Sequence, residues 1–247
     1  MEKIGLLAGI GRLPVEIALA AQDSNIEITA IALLDDVEAD LAESVVDFNK
    51  INIGQLDCII QTLVQKNIKQ VTMIGKVTKE LMFNGEVAID QRWQKLFSSL
   101  PNNNDDTLML ALVQELATEG IGVFDQTMLI KKLMPSKGVL TERQPTIGEL
   151  EDMEFGYKMA KEIGQLDIGQ TVVVKDMAIM AVEAIEGTDA CIKRGGSLGR
   201  GAIVAKTAKP AQDHRFDVPG VGVKTMESMI ESGCAGIVME TGRTLFV

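Results

Sequence analysis

The first half of the chain alternates between two hydrophobic periods, and that alternation narrows the folds open to it. "KIGLLAG" (3–9) is a short apolar run that stops on glycine, as a strand buried on both faces does. "PVEIALAAQ" (14–22) follows with helical period, and Pro14 suits a first helical turn. "IEITAIALLDD" (26–36) and "VDFNKINI" (46–53) read as strands, and "QLDCIIQTLVQKN" (55–67) as a helix. "KQVTMIGKV" (69–77) is a strand leading into Gly75. "NDDTLMLALVQELATEG" (104–120) is a helix with acids in its first turn and glycine at its end, and "IGVFDQTML" (121–129) restarts a strand. Strand–helix alternation of this kind predicts a doubly wound parallel sheet.

The pattern breaks at "LMPSKGVLTERQPTIGE" (133–149), which reads as a linker. Beyond it, "IGELEDMEFGYKMAKEIGQ" (147–165) is an amphipathic helix, "TVVVKDMAIMAVEAI" (171–185) a hairpin turning near Lys175-Asp176, and "TDACIKRGG" (188–196) a short helix. "GAIVAKTAKP" (201–210) is a strand with a basic exit, "GVKTMESMIESG" (222–233) a helix, and "CAGIVMETGRTLFV" (234–247) a strand, a turn and a strand. The 247 residues therefore divide into a Rossmann-like N-terminal domain, 1–136, and a C-terminal α/β domain, 137–247, with its linker helix at about 147–165.

Charge excludes several functions. The net charge is −11 and aromatics are 4% of the chain, so neither phosphate-backbone attraction nor base stacking favours nucleic acid. One stretch runs against this: 193–215 holds Lys193, Arg194, Arg200, Lys206, Lys209 and Arg215 against Asp213 alone. A basic island in an acidic chain points to one anionic ligand. The three cysteines are scattered and form no CxxC, which argues against a zinc site or a disulfide framework. No apolar run reaches the roughly 18 residues of a membrane span, and the N-terminal run is too short for a signal peptide. The expected location is the cytoplasm.

Three stretches carry candidate chemistry. In "GLLAGIGRLP" (5–14), Gly9 and Gly11 lie between a strand and a helix, where backbone N–H groups can approach a phosphate. The third glycine of the dinucleotide fingerprint is missing, although Asp35 or Asp36 could stand in for the ribose-binding acid. In "EAIEGTDA" (183–190), Glu183 and Glu186 flank a strand end, and Thr188 or Asp189 can cap a helix or face a ligand. In "DVPGVGVKT" (217–225), Asp217 precedes a stiff Val-Pro-Gly segment that would aim its carboxylate in one direction. Such an acid can bind a metal or orient water. His214 is the only histidine, so any metal here would have oxygen ligands, which favours Mg²⁺ or Mn²⁺. Neither a GxSxG elbow nor a Walker loop occurs; "GVGVKT" (220–225) lacks the spacing. Leu81, Met82 and Phe83 offer one apolar surface for an acyl chain.

With these runs quoted, the chain resembles the metal-dependent UDP-2,3-diacylglucosamine diphosphatases that are unrelated to the calcineurin-like phosphoesterases. The matching runs are "GLLAGIGRLPVE" (5–16), "NDD" (104–106), "EIGQLDIGQTVVV" (162–174), "AVEAIEGTDA" (181–190), "AKTAKP" (205–210) and "DVPGVGVKT" (217–225). They span most of the chain in order; Ile10 departs from the small residues common at its place. The resemblance implies two α/β domains with a substrate cleft between them. It implies hydrolysis of UDP-2,3-diacylglucosamine to UMP and 2,3-diacylglucosamine 1-phosphate, a step towards lipid A, by water attack at the α-phosphorus. Asp217 is implied to be essential, as a metal ligand or an orienter of water, with Asp189 as a second metal ligand. Substrate contacts are expected from Gly9, Gly11, Leu13, Pro14, Gly75, Lys76, Asp105, Asp106, Gly187, Thr188, Asp189, Lys206 and Lys209. Mg²⁺ or Mn²⁺ is the expected cofactor, and peripheral contact with the inner membrane and a homodimer are compatible with the resemblance. The rival readings are an NAD(P)-dependent oxidoreductase, drawn from Gly9, Gly11 and Asp35, and a non-catalytic nucleotide-sugar sensor.

Overall fold

A computed structural model describes residues 2–77, 87–101, 105–210, 213, 215 and 218–247. The chain divides into two compact units, Met1–Ile130 with His214–Phe216, and Lys131–Asp213 with Asp217–Val247. Both are α/β.

The first unit is built on five parallel strands: β1 (Glu2–Ala8), β2 (Ile26–Ala32), β3 (Asp47–Lys50), β4 (Gln70–Ile74) and β5 (Gly122–Val123), in spatial order β3-β2-β1-β4-β5. This is a doubly wound arrangement in which the order reverses between β1 and β4, so loops leaving those two strands border a natural ligand crevice. The helices are α1 (Leu13–Asp23), α2 (Leu56–Gln65), α3 (Gln91–Ser99), α4 (Asp105–Thr118) and α5 (Thr127–Ile130). Leu7, Ile31, Ile60, Leu63, Trp93 and Leu116 share one core. The continuous apolar runs of β1 and β2 follow from this burial: both faces of a parallel strand are covered. On the outer side, Arg92 binds Glu115 at 2.5 Å, Glu119 at 2.7 Å and Asp57 at 3.1 Å, tying α3 to α4 and α2. Burial opposes the charge on Arg92, but its hydrogen bonds to three carboxylates outweigh it and hold the guanidinium above its ordinary pKa.

Two readings are corrected here. The strand expected over 121–129 covers only Gly122–Val123, and a helical turn begins at Thr127. Asp125 causes the break: its carboxylate accepts from the Thr127 N–H at 2.9 Å and the Thr127 hydroxyl at 2.6 Å, a local turn that competes with strand pairing. Helix α3 was not anticipated. Asp90 starts it by accepting from the Trp93 N–H at 2.9 Å.

The second unit carries α6 (Ile147–Gln165), β6 (Thr171–Lys175), β7 (Ala178–Val182), α7 (Thr188–Leu198), β8 (Ile203–Lys206), β9 (Gly220–Val221), α8 (Val223–Ser232), β10 (Gly236–Met239) and β11 (Leu245–Phe246). Four strands form a mixed sheet, β10-β8-β6-β7, and β9 pairs separately with β11. The hairpin β6–β7 turns through Asp176 and Met177, both with positive φ. Thr146 and Glu149 form a reciprocal capping box at the start of α6, and Arg143 grips Glu149 with two hydrogen bonds. That pairing lowers the Glu149 carboxyl to about 2.

Side-chain alternation splits the sheet. Val172, Val174 and Ala205 face Ala160 of α6, whereas Val173 and Val204 face Cys191 and Ile192 of α7 and Met229 of α8. Glycines let the helices approach closely: a Cβ on Gly195 would lie 2.5 Å from Val173 Cβ, and one on Gly156 would lie 2.9 Å from Ala205 Cβ. Gly148, on the same helix as Gly156, has open space where its Cβ would be. The same substitution should therefore act with opposite signs. Gly195→Ala is expected to destabilise the protein by about 2 kcal/mol through overpacking. Gly148→Ala is expected to stabilise it by up to about 1 kcal/mol through helix propensity. Urea unfolding of both variants checks this, and equal effects would contradict the packing described.

Candidate active site

The register of the second sheet places three polar residues in one row. Thr171 of β6 lies directly opposite Lys206 of β8, and the Glu183 N–H donates to the Thr171 carbonyl at 2.9 Å across the β6–β7 ladder. Alternation puts Lys206 on the same face as Val204, and Thr171 on the same face as Val173. The row Lys206–Thr171–Glu183 is thus the last rung of an otherwise apolar face, the face that α7 and α8 cover. Burial follows: Lys206 is 5% exposed and Glu183 7%.

Helix α7 begins directly over this row. Gly187 turns the chain into it with φ +80, a conformation that favours glycine, and a Cβ there would meet nothing. The next residue, Thr188, joins the charges. The Lys206 ammonium donates to Thr188 Oγ1 at 3.0 Å and to the Gly220 carbonyl at 2.9 Å. Thr188 Oγ1 in turn donates to Glu183 Oε1 at 2.8 Å, and Glu183 Oε2 accepts from the Gln170 N–H at 3.3 Å. Thr171 Oγ1 stands 3.5 Å from Thr188 Oγ1. An ammonium can only donate, so the Thr188 oxygen accepts from it and the Thr188 proton goes to Glu183. Burial lowers the Lys206 pKa, and Glu183 and Asp189 act in the opposite direction. Asp189 is exposed at the first turn, 3.4 Å from the Thr225 hydroxyl on α8.

Of the residues expected to touch substrate, Gly187, Thr188, Asp189 and Lys206 are gathered at this helix start. Lys209 pairs with Asp167 at 2.6 Å, and its carbonyl accepts from Arg243 at 3.3 Å. Asp217, the expected catalytic acid and metal ligand, lies outside the described residues, as do His214 and Leu81, Met82 and Phe83. The chain directly after Asp217 is described and firmly held. Pro219 is buried and its carbonyl accepts from the Leu245 N–H at 2.8 Å, while the Gly220 carbonyl takes the bond from Lys206.

In the first unit, Gly9, Gly11, Leu13 and Pro14 follow β1, and Gly75 and Lys76 follow β4. The two loops are clamped: the Ile10 N–H donates to the Lys76 carbonyl at 3.0 Å and the Lys76 N–H to the Ile10 carbonyl at 2.8 Å. A Cβ on Gly9 would stand 2.8 Å from the Gly75 carbonyl carbon, and one on Gly75 2.6 Å from that of Gly9. These two glycines are required by backbone contact. Gly11 differs, since nothing lies within 4 Å of where its Cβ would be. It opens onto the start of α1, where Arg12 pairs with Glu16 and Asp40 and Pro14 is buried in the first turn. Asp35 and Asp36 are exposed. Asp105 and Asp106 open α4, and their side chains lie outside what is described.

Residues 3–133 match the LpxI N-terminal domain and residues 136–247 the LpxI C-terminal domain. The chain belongs to the LpxI family. The UDP-2,3-diacylglucosamine pyrophosphatase LpxI of Caulobacter vibrioides is 31% identical over 259 residues, covering all of this chain and 91% of its own. Solved structures give only remote likenesses. The biotin carboxylase subunit of pyruvate carboxylase is 14% identical with a TM-score of 0.31, covering 74% of this chain and 36% of that one. UDP-glucose 4-epimerase from Bifidobacterium longum is 9% identical with a TM-score of 0.32, covering 59% and 43%. The chain thus spans less than half the length of either solved structure, and no argument rests on them.

Sequence reading gave no place to Thr171 and treated Glu183 only as a strand-end acid. Their signal was positional: each stands at the end of a strand whose inward residues are otherwise apolar.

The Lys206 pKa has a consequence that can be measured. Its folded value lies below the ordinary 10.5. The native state therefore holds the proton less tightly than the unfolded chain, and stability rises with pH between the folded value and about 10.5. Below that window the cost of the buried charge is present in full. In Lys206→Met this alkaline rise should vanish. At neutral pH the variant should lose about 2 kcal/mol, because Thr188 Oγ1 and the Gly220 carbonyl lose their donor and the buried Glu183 carboxylate loses the positive charge nearby. Urea unfolding from pH 7 to 10.5 tests both, and parallel wild-type and variant profiles would contradict the assignment.

Proposed function

We propose that the chain hydrolyses UDP-2,3-diacylglucosamine to UMP and 2,3-diacylglucosamine 1-phosphate, the pyrophosphatase step of lipid A biosynthesis. The observation that carries this is its full-length membership of the LpxI family, together with a buried lysine set under a helix start. A diphosphate carries about two negative charges and needs positive potential that is fixed in advance. Lys206 supplies a full charge, and the first turn of α7 adds unpaired N–H groups and the favourable end of a helix dipole. Because the Thr188 proton is committed to Glu183, Thr188 would meet a phosphate oxygen through its backbone N–H.

Water attacks the α-phosphorus. The bond from that phosphorus to the bridging oxygen breaks, the oxygen leaves on the sugar phosphate, and the two protons of the attacking water pass to solvent as both products become phosphate dianions. We assign Asp217 to orient that water or to hold a divalent metal. An ordinary aspartate, with a pKa of about 3.9, is a weak base at neutral pH. Among the described residues no group of three His, Cys, Asp or Glu could hold a metal ion, and exposed Asp189 is the acid within the first turn of α7. Mg²⁺ commonly uses one or two carboxylates and completes its shell with substrate phosphates and water. Asp189 and Asp217 fit that donor set. The ion would neutralise charge on the diphosphate. Peripheral contact with the inner membrane belongs to the same proposal, because two acyl chains must be drawn from a bilayer. Among the described residues no helix is long and apolar enough to cross a membrane. Vesicles carrying the substrate should co-sediment the protein, and a protein left wholly in the supernatant would argue against this contact.

Incubation of the protein with UDP-2,3-diacylglucosamine and Mg²⁺ should release UMP, read by mass spectrometry. In ¹⁸O-water the label should enter UMP; label in the lipid phosphate would place the attack at the β-phosphorus. Excess chelator should abolish turnover, and full activity in chelator would remove the metal from the proposal. Asp217→Asn keeps the size of the side chain but loses its charge. Its kcat should fall by roughly 10², about 2.7 kcal/mol, with KM little changed. Asp213→Asn should cost far less. A folded Asp217→Asn protein with near-normal turnover would sink the role given to Asp217.

A further inference from the structure

We infer that Glu183 is a positioning residue for the reaction, acting through Thr188 on Lys206 and on the Gly220 carbonyl that Lys206 holds. The inference rests on the hydrolase reading above.

Glu183 is 7% exposed, and a carboxylate so placed must be paired or hydrogen-bonded. Its two oxygens take the Thr188 hydroxyl and the Gln170 N–H. The first bond decides the orientation of the group above it. With its proton drawn to Glu183, the Thr188 oxygen presents a lone pair to Lys206, and it does so from a fixed place at the start of α7. Lys206 is then held between two acceptors, Thr188 Oγ1 and the Gly220 carbonyl. Gly220 stands three residues beyond Asp217. Pro219, directly before Gly220, has its carbonyl fixed by Leu245. The run Gln170–Glu183–Thr188–Lys206–Gly220 therefore holds the Val218-Pro219-Gly220 segment where it enters β9. It also fixes where the ammonium stands beneath the helix start. Glu183 touches neither Gly220 nor, on this geometry, the substrate; its influence passes through the threonine.

Neutral isosteres separate this from a packing role. The carbonyl oxygen of Glu183→Gln can still accept from Thr188, so this variant should stay within about 5-fold of wild-type kcat. Glu183→Ala releases the Thr188 proton and should lower kcat at least 30-fold, with KM changed less than 3-fold. Thr188→Val removes the link while keeping the shape and should fall as far. It also carries the test should Glu183→Ala not fold. The decisive measurement is a double-mutant cycle with Lys206→Met. Residues acting as one unit are not additive, so Glu183→Ala with Lys206→Met should be no slower than the worse single variant. Independent losses that multiply would overturn the inference, as would a folded Thr188→Val enzyme with wild-type kcat. Wild-type turnover in the same assay is the reference. If the wild type releases no UMP, the hydrolase reading fails; if it does and the variants match it, only the role of Glu183 fails.

Discussion

A buried lysine amine beneath a helix start is the constraint around which the second unit is organised. Lys206 ends a strand whose inward neighbours are apolar, so nothing in its own strand can solvate it. The groups that do come from three separate places: Glu183 after β7, Thr188 at the start of α7, and the Gly220 carbonyl in β9. Each is distant in sequence, and each is brought in by a different piece of backbone geometry. Sheet register brings Glu183, the Gly187 turn brings Thr188, and the β9–β11 pairing steadies Gly220. A change at any one of them leaves a buried charge without a partner, which costs far more than the net worth of an intact pair. The active-site candidate and the stability of the sheet edge are consequently one structure.

The first unit solves the opposite problem. Its glycine loop has no charge to bury; it has two backbones to bring together. Gly9 and Gly75 touch where the strand order reverses, and the Ile10–Lys76 bridge closes the contact. Glycines that a dinucleotide fingerprint would assign to a pyrophosphate are here explained by packing between β1 and β4. Of Gly9, Gly11 and Gly75, Gly11 retains open space around it.

Much of the fold was legible in the sequence because its signals were local. Continuous apolar runs marked β1 and β2, the amphipathic pattern of 147–165 marked α6, and Lys175-Asp176 marked the hairpin. The failures were also local, at 121–129 and at α3, where a single aspartate side chain redirects the backbone. The candidate site was legible only in part. Composition singled out the basic island, yet it could not distinguish Lys206, which points inward, from Lys209, which pairs with Asp167. That difference is set by strand alternation at the end of β8 and by what covers each face. Glu183 was harder still, since its partner Lys206 is 23 residues away and the two meet only through a third side chain.

The stiffness of the segment after Asp217 acquires a physical reason from these contacts. Proline removes a donor and fixes one dihedral, so Pro219 can only be anchored through its carbonyl, and Leu245 supplies that anchor. Gly220 follows with its carbonyl turned to Lys206, and helix α8 begins at Val223. A flexible segment here would have to be ordered each time substrate arrived, and that entropy would be drawn from binding. Anchored at two consecutive carbonyls, the segment is ordered before substrate binds. The arrangement has a built-in dependence: the second anchor is Lys206, the same cation proposed to face the diphosphate. The charge proposed to attract the substrate and the bond that holds the segment after Asp217 therefore reside in one ammonium group, and its place is set by Thr188 and Glu183.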